Sequence, residues 1–173
     1  MSSTTKYSRN KFLSKTVLAA AGSLVIPAYV SGQDKPAAIA SDMVKEFVRI
    51  AHSDLDKVKQ MLAAQPLLLN ASFDWGGGDF ETAIGAAGHM GLKDMANYLL
   101  EKGARTDIFV LTMLGKTGIV KGMLTDFPGL LNSAGPHGFT LLHHAEKGGK
   151  ESQELFDYLQ SLGLKEKHRK LFS

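Results

Sequence analysis

The chain has 173 residues, enough for one compact domain and too few for two of ordinary size. Its hydrophobic content of 44% argues against a disordered polymer, and the lack of cysteine excludes a disulfide framework or a thiolate zinc site. The formal charge of +3 is concentrated in Lys6, Arg9, Lys11 and Lys15; without them sixteen basic residues face seventeen acidic ones, so no nucleic-acid partner is expected.

Residues 1–32 read as a cleavable targeting segment: a basic start, an apolar run from Thr16 to Tyr29, then small residues before Gln33. The apolar run is shorter than the roughly 20 residues of a comfortable membrane span. The expectation is therefore export to the periplasm or beyond, with no membrane span after cleavage. Residues 33–41 form a linker, 42–164 the folded domain, and 165–173 a charged tail carrying Lys165, Lys167, Arg169 and Lys170.

Within the domain, apolar residues recur at helical spacing in four stretches: Val58 with Met61 and Leu62, Met95 with Leu99, Val120 with Met123 and Leu124, and Leu155 with Phe156 and Leu159. The segment Val58–Asn70 aligns without gaps to Val120–Asn132 at an offset of 62 residues and is identical at eight of thirteen positions. Internal repetition at this scale signals stacked supersecondary units, each too small to bury its own apolar face. Gly91, Gly115 and Gly149, with Ser53 in the equivalent place in the first unit, mark turns between paired helices, spaced by 38, 24 and 34 residues. The long interval holds Phe73-Asp74-Trp75-Gly76-Gly77-Gly78-Asp79-Phe80, an enlarged loop. The short interval leaves the third unit without a projecting turn.

Thr82-Ala83-Ile84-Gly85-Ala86-Ala87, Gly91 and Tyr98-Leu99-Leu100-Glu101-Lys102-Gly103-Ala104 resemble the ankyrin repeat pattern, as do Thr140-Leu141-Leu142-His143-His144-Ala145 and Gly149. The resemblance covers roughly residues 42–164. It implies an all-α fold, an ankyrin-type α-solenoid of about four helix-turn-helix repeats with short β-turn fingers. It further implies a concave surface that binds an unidentified protein, carried over to Trp75, Asp79, His89, Met113, His137, Phe139, His144 and Lys147. His143 stands at the motif histidine, which the family uses structurally. The expected function is an exported, non-catalytic binding module: an adaptor, or an inhibitor or protective subunit of an envelope protein.

The alternative is a metal-binding or hydrolytic site built from His137, His143 and His144, which lie within eight residues of one another. No carboxylate or thiolate stands beside them at ligand spacing, so a structural or surface role is favoured, and neither His52 nor His89 fits the repeat pattern well. The triple glycine is not followed by the Gly-Lys-Ser/Thr of a phosphate loop, and Gly115-Lys116-Thr117 lacks the upstream glycine. No cofactor is implied. Trp75, the only tryptophan, reads equally as a binding anchor or as a residue packed on the end of the stack.

Overall fold

The structure is a computed structural model that describes residues 37–171; the expected targeting segment and residues 33–36 of the expected linker lie outside the described residues. The described chain is mostly helical. Eight α-helices run in chain order: α1 (Ser41–Ile50), α2 (Leu55–Ala64), α3 (Ala83–Met90), α4 (Lys93–Glu101), α5 (Ile108–Met113), α6 (Thr117–Asp126), α7 (Leu141–Gly148) and α8 (Gln153–Ser161). Between α2 and α3 stands an antiparallel hairpin of β1 (Ser72–Asp74) and β2 (Phe80–Thr82).

Each odd-numbered helix packs against the helix that follows it, and α1, α3, α5 and α7 also pack on one another in succession. Three helix starts are set by side-chain oxygens that accept otherwise free backbone N–H groups: Asp54 from Lys57, Thr82 from Gly85 and Asp107 from Val110. The two copies of the repeated segment fold alike. Helices α2 and α6 each end two residues before a proline, Pro66 or Pro128, which opens a short 3-10 turn reaching Asn70 or Asn132.

Two of the turn glycines are required by their surroundings. Gly91 (φ 78°) and Gly115 (φ 65°) are left-handed, and a Cβ on them would lie 2.8 Å from the Lys147 carbonyl oxygen and 2.2 Å from that of Glu151. The approach is this close because both turns nest against the end of α7 and the 3-10 turn that follows it.

The apolar helical positions meet in two core clusters. Val58, Leu62, Met95 and Leu99 are buried in one, and Val120, Leu124, Leu155 and Leu159 in the other. The third unit is short: α4 ends at Glu101, α5 begins at Ile108, and no hairpin intervenes. Consequently α7 contacts α3 as well as α5, and the turn Pro136–Gly138 ahead of α7 reaches the start of the second unit.

The C-terminal stretch is charged and largely exposed, as expected of a tail, yet its backbone is fastened. Thr140 N–H donates to the Lys167 carbonyl (3.0 Å), Arg169 N–H donates to the Gly138 carbonyl (2.8 Å), and Phe139 and His168 form an antiparallel bridge. Residues 166–169 thus hold the Pro136–Gly138 turn from its outer side.

Candidate metal centre

The hairpin positions the first groups of the site. Side chains alternate faces along a strand, so Phe73 and its cross-strand partner Glu81 share one face, and Trp75 and Asp79 continue it beyond the strand ends, where Trp75 N–H donates to the Asp79 carbonyl (3.0 Å). The connecting loop turns through Gly76, Gly77 and Gly78, all at positive φ, and the Asp74 carboxylate accepts the N–H groups of Gly76 and Gly78. Phe80 is left on the opposite face, 61% exposed.

Glu81 is 1% exposed. Burying a carboxylate is costly unless its oxygens are met by donors or cations. Here Trp75 Nε1–H donates to Oε2 at 2.8 Å and His89 Nε2 lies 2.8 Å from Oε1. Burial pushes the Glu81 carboxyl up, but the His89 hydrogen bond, the charges of His52 and His89, and the Trp75 hydrogen bond together hold it below the usual carboxylate value.

Two more imidazoles complete the cluster. His52 stands on the turn after α1, with Nδ1 3.0 Å from the Val48 carbonyl and Nε2 3.2 Å from His89 Nε2. His137 stands in the turn before α7, where its backbone is left-handed (φ 58°, ψ 15°). The Asp79 carboxylate accepts both its backbone N–H (2.8 Å) and its ring Nδ1–H (2.7 Å), which leaves His137 Nε2 3.3 Å from Glu81 Oε2. One donor atom from each of His52, Glu81, His89 and His137 lies within 4.8 Å of all the others.

This arrangement suits a divalent ion for three reasons. Four donors about 2.0–2.1 Å from a tetrahedral centre lie about 3.3 Å apart; here Glu81 Oε1 is 2.8 Å from His89 Nε2 and 3.6 Å from His52 Nε2, the two imidazole nitrogens are 3.2 Å apart, Glu81 Oε2 is 3.3 Å from His137 Nε2, and one donor atom per residue lies within 4.8 Å of the others. The Nδ1 atoms of His52 and His137 face a carbonyl and a carboxylate, which assigns their protons there and turns both Nε2 lone pairs inward. Those lone pairs and the Glu81 oxygens then face two hydrogens, the Trp75 Nε1–H on Oε2 and the His89 Nε2–H on Oε1, and a central cation would serve the inward lone pairs of His52 and His137. With neutral imidazoles, the charges of Glu81 and Asp79 balance a dication.

The sequence-derived site residues divide clearly. Trp75, Asp79 and His137 belong to the cluster or touch it, Phe139 stacks beside it between His89 (5.1 Å) and His143 (4.1 Å), and Lys147 is exposed. His89, Met113 and His144 were expected on an exposed concave face and are instead buried, at 4%, 0% and 1% exposure. His144 fails as a surface residue because it lies one turn beyond Thr140, bonds that carbonyl through Nδ1 (2.8 Å) and packs on Phe109; burial lowers its pKa to about 4. The proposed trio of His137, His143 and His144 does not converge either. Only His137 reaches the centre, while His143 Nε2 bonds the His89 carbonyl (2.8 Å).

Sequence reasoning named His89 only as a surface contact, set His52 aside, and did not consider Glu81. A usable signal was present in Asp79-Phe80-Glu81, where strand alternation puts both carboxylates on one face. No protein-family model matches the chain, and no curated protein matches it.

Proposed function

We propose that this chain is an exported, ankyrin-type repeat protein that binds one divalent transition-metal ion through His52, Glu81, His89 and His137. The ankyrin assignment is supported by four helix pairs whose first helices stack, by left-handed turn glycines at Gly91 and Gly115, and by Thr82 at a helix start. The basic-then-apolar order of residues 1–32 supports export. The observation that carries the metal reading is the convergence of three imidazoles and one buried carboxylate, with donor atoms all within 4.8 Å of one another. Imidazole-rich donors with one carboxylate suit zinc, iron, copper or nickel, and disfavour magnesium and calcium.

Trp75 makes a direct reporter, because it is the sole tryptophan and its ring N–H is bonded to a ligand carboxylate. Titrating paramagnetic Co²⁺ into the chain should quench its fluorescence to a plateau at one equivalent, and His89→Ala should remove the saturable phase. Quenching that never saturates, or is the same in the variant, would count against the site.

A protein-binding role is the second reading, favoured by the hairpin tip. Phe80 is 61% exposed and lines a cavity of about 450 Å³ together with Phe109, Pro136 and Leu171. A loss of partner capture on Phe80→Ser, with metal binding unchanged, would support it.

A further inference from the structure

We infer that the ion in this centre is exchanged directly with an incoming chelating ligand through the face between His52 and His137, so that the protein passes its metal to and from other donor sets. This rests on the metal-binding reading above. The four donors are not equally enclosed: the side chains of Glu81 and His89 are 0% and 5% exposed, whereas those of His52 and His137 are 25% and 31% exposed. The two buried donors are anchored, Glu81 by the Trp75 ring N–H and His89 within the last turn of α3 against Phe139. The two outer donors are both carried on turns, and His137 holds a left-handed backbone that a residue with a Cβ rarely adopts.

The site thus supplies four protein donors yet leaves one side, between His52 and His137, that solvent can reach. Zinc can expand from four to five ligands in a transition state, so a donor arriving on that side can bind before a protein ligand has left. The substitution balances simply. The incoming lone pair forms a bond to the ion, the His137 Nε2–metal bond breaks, the ion stays divalent, and the neutral ring keeps its Nδ1 proton on Asp79. Asp79 therefore retains the departing imidazole and returns it to the ion when exchange runs backward. The cavity beside Asp79 is lined by none of the four donors, so the ion does not face that chamber and meets its exchange partner at the surface.

The test is kinetic. The full chain is loaded with one equivalent of Zn²⁺, desalted, and mixed in a stopped-flow instrument with increasing excess of the chromogenic chelator 4-(2-pyridylazo)resorcinol. Direct exchange predicts a transfer rate that doubles with each doubling of chelator and a several-fold larger second-order constant for His137→Ala, which widens the open face. A rate independent of chelator concentration means the ion leaves a closed site unaided and overturns the inference, as does a second-order constant unchanged by His137→Ala. A wild-type chain that keeps no zinc after desalting overturns the metal-binding reading, and the exchange inference with it.

Discussion

Adding zinc should raise the thermal stability of the domain, and Glu81→Gln should remove most of that gain. The four donors come from the turn after α1, from β2, from α3 and from the turn before α7, so the site exists only when the first, second and fourth units are assembled. An ion that binds the folded chain alone stabilises it by about 2.7 kcal/mol when free zinc is about one hundred times the dissociation constant. For a domain of this size one kcal/mol corresponds to about 3–6 °C, so the midpoint should rise by about 8–16 °C. Glu81→Gln keeps the shape of the side chain and an oxygen for Trp75 Nε1–H, but removes the only anionic donor among the four. Circular dichroism at 222 nm, followed through thermal unfolding with zinc or with a chelator, measures both effects. An identical midpoint with and without zinc, or an equal zinc shift in wild type and Glu81→Gln, would refute the reasoning.

Asp79→Asn removes the carboxylate that holds both the backbone and the ring of His137. It should weaken zinc binding about 10–100-fold in calorimetry with little change in the helical spectrum, as loss of an outer-shell partner does elsewhere. His144 supplies a pH dependence. Its folded pKa is lowered to about 4 by burial, against an ordinary value of 6.5, so between those values the unfolded chain binds more protons. Stability from this group is complete above pH 6.5 and is lost as pH falls toward 4, by about 3 kcal/mol. Urea unfolding at pH 7 and 4.5 should show a drop that is smaller by a similar amount in His144→Gln. Gly115→Ala would place a methyl group 2.2 Å from the Glu151 carbonyl oxygen at a left-handed position, and should lower stability by more than about 1 kcal/mol. An unchanged urea midpoint for that variant would contradict the nested-turn packing.

Much of the architecture was legible in the sequence because it follows from local rules. The 3.6-residue spacing of Val58, Leu62, Met95, Leu99, Val120, Leu124, Leu155 and Leu159 marks which helix faces are buried, and these residues are buried. The left-handed glycines at the turns and the short third unit were likewise legible, since each depends on residue type and spacing within one or two turns of chain. The Val58–Asn70 and Val120–Asn132 repeat carries over into matching helix and 3-10 turn pairs for the same reason.

The centre was not legible, because its donors are joined by no local rule. His52 and His89 are 37 residues apart, and Asp79 and His137 are 58 apart. Burial of His144 and half-burial of His143 also depend on which side of α7 faces α5, a choice that adjacent histidines in the sequence do not reveal. The sequence by itself determined paired helices, their turns and one enlarged hairpin ahead of a unit that lacks one. Tertiary packing decided what that omission does. With no hairpin in the third unit, α7 packs directly on α3, the turn carrying His137 closes on Asp79, and the buried charge of Glu81 meets three imidazoles drawn from three separate units.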